Sequence, residues 1–377
     1  MIPRALVGAA VFDGKRLLQE HAVVIRDGAP SVVALANLPA DCTKTVLDGG
    51  TLLPGFVDLQ INGGGGVMFN DDPTVRTLRT IANAHTSLGT RAFLPTLITD
   101  TPAKTTAAID GAQSAIQQGV PGIIGLHLEG PHLCVARKGA HDARLIRPMT
   151  DPDLQELIAA ASALPNLMVT VAPENVTAPQ ISALAAAGAM VFLGHSDADY
   201  DAAQAAFAAG ARGTTHLFNA MSQLGSRAPG LVGATLDTPT AFAGLIADGV
   251  HVHPATIRAA LNAKSGSADI FLVTDSMACA GSNISQFKLG NRTILRNNGR
   301  LTLEDGTLAG ADLEMAQALQ VMIKDVGEEP ASAFARATSI PAAVLRDPHG
   351  VGSWPDKVEN LIYLSDDFSV QAASDLI

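Results

Sequence analysis

The 377-residue chain carries 25 Lys and Arg against 36 Asp and Glu, giving a formal net charge of -11, and 47% of its residues are hydrophobic. This composition is sufficient for a buried core. It excludes nucleic acid or an anionic membrane as a general partner, because both require a positively charged surface. Positive contacts with an anionic ligand must therefore be local.

The predicted secondary structure changes character near residue 51. Before that point, short alternating runs predict a small β-layer. After it, apolar strand-like runs alternate with Ala-rich helical segments, the pattern of βα units around a parallel sheet. Eight such runs occur: LLPGFVDLQIN, RAFLPTLIT, GIIGLHLEG, LMVTVAPE, MVFLGHSD, RGTTHLFNA, FAGLIADGVH and IFLVTDS. We therefore predict an α/β fold of the (β/α)8 TIM-barrel type, with an open doubly wound sheet as the alternative.

Two further segments follow the eighth run. The stretch FKLGNRTILRNNGRLTLEDG predicts a β-rich insertion, and VENLIYLSDDFSVQAASDLI returns to strand character at the C-terminus. We expect the second stretch to rejoin the N-terminal layer. The predicted organisation is a small β-sandwich-like domain from residues 1–53 and 347–377, and a barrel domain from residues 54–346.

The cysteines and the N-terminal segment indicate a compartment. Cys42, Cys134 and Cys279 are widely spaced and form no CxxC motif, so neither a disulfide framework nor a thiolate zinc site is predicted. The apolar run near the N-terminus meets Asp13 and Lys15 before it reaches the length of a signal sequence. No run approaches the roughly 20 apolar residues of a membrane span. We expect a soluble cytoplasmic protein.

Most predicted barrel strands are apolar until their last positions and then end in polar side chains. In a barrel these strand ends share one rim, where active sites of this fold are built. Residues distant in sequence are therefore expected to converge on one site. The polar strand-end residues are Asp58, Gln60, Asn62, Thr96, Glu129, Glu174, His195, His216, Asp248, His251 and Asp275.

Glu129, His195 and His216 form a candidate metal triad at this rim. One carboxylate oxygen and two imidazole nitrogens suit Zn²⁺ or Fe²⁺ and leave one coordination position for water. A single histidine at a strand end is more often a hydrogen-bonded structural residue. Three ligand-type residues at equivalent rim positions favour the metal site.

Asp275 is the candidate catalytic acid/base, because a water activated by a metal still needs a nearby group to accept and return protons. The alternative is an N-cap for the segment that follows.

Arg227 and His251 are candidate phosphate ligands. The alternative for Arg227 is a surface salt bridge, and the alternative for His251 is a capping or core role. His141, in a glycine-containing loop, is a candidate hydrogen-bond donor to the carbonyl under attack.

Longer sequence motifs resemble the N-acetylglucosamine-6-phosphate deacetylases of the amidohydrolase superfamily from about Leu47 to Arg346. The motifs HLEGP, GHS and THLFNAM are specific in combination. The full set, in chain order, is PGFVDLQING, LPTLIT, GLHLEGPHL, KGAH, LGHSDA, THLFNAMSQLGSRAPGLVGA, IADGVHV, LVTDSMACAG and GTLAGA. The resemblance implies removal of acetate from N-acetyl-D-glucosamine 6-phosphate, a reaction of amino sugar catabolism and recycling.

The resemblance also implies roles for individual residues. Glu129, His195 and His216 would hold the metal, Zn²⁺ or else Fe²⁺, Asp275 would be the acid/base and His141 would polarise the acetyl carbonyl. Arg227 would reach the site of a neighbouring subunit, so a homodimer is expected. The implied substrate-binding residues are Ala140, His141, Asn219, Ala220, Arg227, Asp248, His251, Leu308, Ala309 and Gly310.

The first predicted barrel strand departs from a common pattern of this superfamily. Many members carry His-x-His there and bind a second metal, whereas this chain has Gln60, Ile61 and Asn62. Neutral amides replace imidazole poorly as ligands, so we predict one tightly held metal. Two alternatives remain at this point: another amidohydrolase reaction, on a different N-acetyl amino sugar phosphate or a cyclic amide, and a sugar-phosphate sensor without catalysis.

Overall fold

Eight parallel strands, paired in chain order, form the central sheet of the computed structural model, which describes residues 2–377. An isolated parallel bridge between Ile61 and Ser276 brings the end of the eighth strand beside the first. The sheet is therefore a nearly closed barrel, which confirms the predicted architecture over the open doubly wound alternative. Its strands are Phe56–Ile61, Thr90–Ile98, Leu126–Glu129, Leu167–Val171, Met190–Leu193, Gly213–Thr214, Phe242–Leu245 and Ile270–Leu272.

The seam between the first and last strands is held by the buried carboxylate of Asp58. Its Oδ2 accepts a hydrogen bond of 2.5 Å from Oγ1 of Thr274, and its Oδ1 accepts one of 3.1 Å from the backbone N–H of Gln60. Burial raises the pKa of Asp58 to about 7, against these hydrogen bonds, which lower it. Asp58 thus joins the two edges of the barrel just below the rim.

Helices connect the barrel strands, and several begin at residues that suit a helix N-terminus. The side chains of Thr74, Thr101, Thr177 and Asp199 each accept a hydrogen bond from the backbone N–H three residues later. The α-helices are Val75–Ser87, Pro102–Gln117, Asp151–Ala163, Ala178–Ala186, Tyr200–Ala208, Gly230–Asp237, Pro254–Ala263, Met315–Gln320, Pro330–Arg336 and Ser339–Val344. Short turns of other helix types lie at Leu35–Asn37, Val135–Arg137, Val321–Val326, Val358–Asn360 and Ala373–Leu376.

Two small sheets lie outside the barrel, and the five-stranded one combines strands from both ends of the chain. The five-stranded sheet contains Val370–Ala372, Leu361–Leu364, Thr51–Pro54, Ala10–Phe12 and Leu17–Leu18, in that order. The four-stranded sheet contains Ala29–Ala34, His21–Arg26, Arg4–Val7 and Thr43–Val46. This confirms that the C-terminal segment rejoins the N-terminal layer. The domain boundaries at residues 53/54 and 346/347 stay a prediction.

The predicted β-rich insertion is a three-stranded antiparallel sheet beside the rim. It contains Gln286–Leu289, Arg292–Asn297 and Arg300–Thr302. Its buried side chains pack into a small hydrophobic cluster with Met277 and Ala309. A two-stranded ribbon, Gly63–Gly64 with Val67–Met68, follows the first barrel strand. Among residues 2–377, none of the helices combines the length and the hydropathy needed to cross a lipid bilayer.

Candidate metal-dependent active site

Four side chains predicted from the sequence lie together at the rim where the barrel strands end. Glu129 ends the third barrel strand, His195 and His216 follow the fifth and sixth strands, and Asp275 follows the eighth. The parallel register places these strand ends side by side. Glu129, His195 and His216 are buried, and Asp275 is partly exposed to the cavity above them.

Glu129, His195 and His216 bring three ligand atoms into a tight triangle. Oε1 of Glu129 lies 3.0 Å from Nε2 of His216 and 3.3 Å from Nε2 of His195. The two Nε2 atoms are 3.1 Å apart. A tetrahedral ion about 2.0–2.1 Å from its ligands requires them to lie about 3.3 Å apart. The triangle therefore has the dimensions of a divalent metal site.

His195 is fixed in the tautomer that a metal ligand needs. Its Nδ1 lies 2.8 Å from the backbone carbonyl of Arg137. A carbonyl only accepts hydrogen bonds, so the ring proton is on Nδ1 and the lone pair of Nε2 faces Glu129. Burial alone would raise the pKa of Glu129, but its contacts with His195 and His216 hold that pKa well below its ordinary value.

His141 also lies beside Glu129 and His195, within 4.8 Å in ligand-atom distance, but its environment differs from theirs. Nδ1 of His141 is 3.3 Å from the backbone N–H of Thr99 and 2.7 Å from its Oγ1. Because a backbone N–H only donates, Nδ1 accepts and the ring proton is on Nε2. Burial holds the pKa of His141 well below its ordinary value. His141 is therefore suited to donate a hydrogen bond, whereas His216 completes the tighter triangle.

The backbone at the site adopts conformations that side chains other than glycine rarely take. His195, His216 and Asp275 have φ values of 47°, 30° and 49°, and Ala220 has 50°. Such left-handed conformations cost about 1–3 kcal/mol each and concentrate at functional sites. The backbone is therefore strained at the residues whose side chains meet in the site.

Two amide side chains lie beside Asp275 at the end of the first barrel strand. Nε2 of Gln60 donates to Oε1 of Glu129 at 3.2 Å and to Oδ1 of Asp275 at 3.1 Å. Nδ2 of Asn62 donates to the same Oδ1 at 2.7 Å. Gln60 thus links Asp275 to Glu129, and Asn62 adds a second hydrogen bond to Asp275. Burial and the neighbouring charge of Glu129 raise the pKa of Asp275 to about 6.

A cavity of about 380 Å³ lies above the four side chains, a volume suited to a small ligand. The loop from residue 307 to residue 310 forms one wall and requires glycine at its end. At Gly310, with φ of 64°, a Cβ atom would lie 2.5 Å from Cγ of Met277. The predicted residues that line the cavity are Glu129, Ala140, His141, His195, His216, Asn219, Ala220, His251, Asp275, Leu308 and Gly310.

Three predicted substrate-binding residues lie outside this lining. Arg227 is exposed on the loop that follows Met221. Asp248 lies beside His251, its Oδ2 2.6 Å from Nδ1 of that ring. Ala309 is fully buried in the hydrophobic cluster below the insertion. Their contacts with substrate stay predictions.

Sequence reasoning missed Arg137 and Thr99. Arg137 lines the cavity and forms an ion pair of 2.7 Å with Asp197, and its carbonyl orients His195. The available signal was its position in the loop just before His141. Thr99 immediately follows the second barrel strand, a few residues after the predicted rim residue Thr96, and it sets the tautomer of His141. A hydrogen bond of this kind leaves no mark in a single sequence.

The fold and the site together define a metal-dependent hydrolase built on a barrel. Residues 51–354 match the model of the amidohydrolase family, and residues 4–52 match that of the NagA composite domain. The chain therefore belongs to the amidohydrolase family, among its members with the NagA composite domain.

Named relatives span nearly the whole chain. The N-acetylgalactosamine-6-phosphate deacetylase of Shewanella sp. (strain ANA-3) is 40% identical over 97% of this chain and 93% of its own length. The crystal structure of N-acetylglucosamine-6-phosphate deacetylase from Pasteurella multocida has a TM-score of 0.90 at 34% identity, covering 98% of this chain and 97% of that one. An aspartate-to-alanine mutant of the Mycobacterium smegmatis enzyme of that name, in complex with N-acetyl-D-glucosamine-6-phosphate, has a TM-score of 0.88 at 29% identity, covering 99% and 98%.

Proposed function

We propose that this protein hydrolyses N-acetyl-D-glucosamine 6-phosphate to D-glucosamine 6-phosphate and acetate. The observation that carries the proposal is the triangle of Glu129, His195 and His216 facing Asp275 across one cavity. The proposal is further supported by two solved relatives of similar length that carry the name of this activity, one of them in complex with the substrate.

Glu129, His195 and His216 would hold one divalent ion, Zn²⁺ in our proposal, with Fe²⁺ as the alternative for the same set of donor atoms. When bound there, such an ion would lower the pKa of a water molecule from about 15.7 to about 7 and would polarise the substrate carbonyl. Gln60 and Asn62 present NH₂ groups toward Asp275, and an NH₂ group repels a cation. These contacts support a single ion per chain.

Asp275 serves as the acid/base. Both amides donate to its Oδ1, which leaves Oδ2 to accept the proton of the attacking water and return it to the amine leaving group. A pKa of about 6 keeps both protonation states accessible near neutral pH. His141, with its ring proton on Nε2, donates a hydrogen bond to the carbonyl oxygen as negative charge develops there.

The phosphate is bound by His251 and by the polar groups around Asn219 and Ala220, all of which line the cavity. Ala140 and the loop from residue 308 to residue 310 enclose the sugar. Arg227 contributes from the partner subunit of a homodimer. Its exposure outside its own cavity supports a role in trans, and so does the neighbouring Leu224, which is 57% exposed and would be covered by a partner.

A second candidate substrate is N-acetyl-D-galactosamine 6-phosphate. The relative with 40% identity carries the name of a deacetylase for that sugar, whereas the Pasteurella multocida structure, at 34%, is named for the glucosamine epimer. The two sugars differ only at C4, and both present the same acetamide and phosphate. The roles proposed for the metal ligands, Asp275 and His141 are the same for either sugar.

An acetate-release assay tests the proposal. Both N-acetylhexosamine 6-phosphates and their unphosphorylated forms are compared, using protein stripped of metal and then restored with Zn²⁺ or Fe²⁺. We expect turnover only after metal is restored, a large preference for the phosphorylated sugars, and the higher kcat/KM for the glucosamine epimer. Absence of acetate release from both phosphorylated sugars with restored metal would contradict the proposal. A higher kcat/KM for the galactosamine epimer would replace the substrate but keep the chemistry.

A further inference from the structure

Asp248 and His251 form a compact pair at the edge of the cavity. Oδ2 of Asp248 lies 2.6 Å from Nδ1 of His251, and its Oδ1 accepts hydrogen bonds from the backbone N–H groups of Val250 and His251 at 2.8 and 2.7 Å. The side chains of the pair are 7% and 8% exposed. His251 lines the cavity and Asp248 does not. The carboxylate thus lies behind the ring and has no surface in the cavity.

This arrangement fixes one proton of the imidazole. Burial alone would raise the pKa of Asp248, but the hydrogen bonds from His251 outweigh it and lower that pKa. An ionised carboxylate only accepts hydrogen bonds, so Nδ1 of His251 carries a proton. Nε2 is then the ring nitrogen left for a ligand in the cavity. A phosphate dianion only accepts hydrogen bonds, so Nε2 must carry a proton to bind it, and the carboxylate behind the ring balances the positive charge that the ring carries in that complex.

We propose that Asp248 is a positioning residue for phosphate binding, and that it affects the substrate only through the orientation and charge of His251. This inference rests on the proposed function and refines it, because the sequence alone placed Asp248 among the residues that contact substrate. The protein has a formal net charge of -11, so a bound phosphate needs local groups that favour an anion. Glu129 and Asp275 place two carboxylates in the same cavity, so a phosphate dianion there needs a hydrogen-bond donor directed at it.

The test is a double-mutant cycle in the full-length, metal-restored enzyme, with D248N, H251Q and the double variant. The substrates are N-acetyl-D-glucosamine 6-phosphate and unphosphorylated N-acetyl-D-glucosamine. In D248N the amide oxygen retains the backbone hydrogen bonds, while the NH₂ group removes the acceptor for Nδ1. We expect KM for the phosphorylated sugar to rise at least tenfold, with kcat within threefold and KM for the unphosphorylated sugar within twofold. In the H251Q background the same change should alter KM by less than twofold.

Several outcomes overturn the inference. If KM rises equally for both sugars and still rises in the H251Q background, Asp248 contacts the sugar directly. If kcat falls for both sugars together with the thermal midpoint, Asp248 only supports the loop. D248E, which keeps the charge on a longer side chain, should recover part of the lost affinity if the inference is right. If the wild-type enzyme itself shows no preference for the phosphorylated sugar, the proposed phosphate site and this inference both fail. If the wild type shows that preference but D248N changes KM equally for both sugars, only this inference is contradicted.

Discussion

Replacing Asp275 with Asn separates its chemistry from its contacts. The amide oxygen can still accept the hydrogen bonds that Gln60 and Asn62 now give to Oδ1, at 3.1 and 2.7 Å. The new NH₂ group then takes the place of Oδ2 and cannot accept a proton. Since general acid–base catalysis contributes about 10²- to 10⁴-fold, we expect kcat to fall by that factor. At about 1.36 kcal/mol per tenfold, the loss is about 2.7–5.4 kcal/mol of transition-state stabilisation.

The assay is steady-state acetate release from N-acetyl-D-glucosamine 6-phosphate, combined with metal content per chain and the thermal midpoint. The Asp275→Asn variant should retain one equivalent of metal and a thermal midpoint close to that of the wild type. Asn62→Ala is a matched control, because it removes one contact to Asp275 but leaves the carboxylate, and it should lose far less activity. The reasoning is refuted if Asp275→Asn keeps kcat within threefold of the wild type while binding metal normally.

Three further predictions concern binding, metal stoichiometry and pH. Arg227→Ala should raise KM for the phosphorylated sugar ten- to hundredfold, because a hydrogen bond to a charged group contributes about 1.5–3 kcal/mol. KM for the unphosphorylated sugar should change little. Equal effects on both KM values in the acetate assay would show that Arg227 does not bind phosphate. Exchanging Gln60 and Asn62 together for His should raise the zinc content from one to two ions per chain, and a content that stays at one would contradict the single-metal argument. The pKa of Asp58 is about 7 in the folded protein, against an ordinary value of 3.8. Between these two pH values the unfolded chain has lost the Asp58 proton while the folded protein keeps it. The free energy of unfolding therefore falls as pH rises from 3.8 to about 7, by at most about 4 kcal/mol. Asp58→Asn should flatten this dependence in urea unfolding at pH 4.5–8, and an unchanged slope would refute the assignment.

The barrel and the position of its site followed from the sequence because both depend on local patterns. Apolar runs that alternate with helical segments predict parallel strands, and the ends of parallel strands must share a rim. Glu129, His195, His216 and Asp275 each stand at or just beyond such an end. Their convergence was therefore predictable without knowledge of any distance.

Other features depend on three-dimensional contacts that leave no periodic pattern. The left-handed backbone at His195, His216 and Asp275 is imposed by the surrounding fold, since residues other than glycine adopt it rarely, although His and Asp tolerate it better than most. The ring proton of His141 depends on the backbone N–H of Thr99, which follows the second barrel strand and is distant in sequence. Arg137 lines the cavity, and its place in the loop just before His141 was the only sign of this in the sequence.

The central claim is that Glu129, His195 and His216 hold one metal ion opposite Asp275. The most direct measurement is anomalous diffraction at the zinc absorption edge from crystals of zinc-restored protein, combined with zinc content per chain in solution. The account predicts one ion per chain, within about 2.3 Å of a Glu129 carboxylate oxygen and of Nε2 of both histidines. An ion held instead by His141 or by Gln60 and Asn62, or no stoichiometric zinc at all, would contradict it.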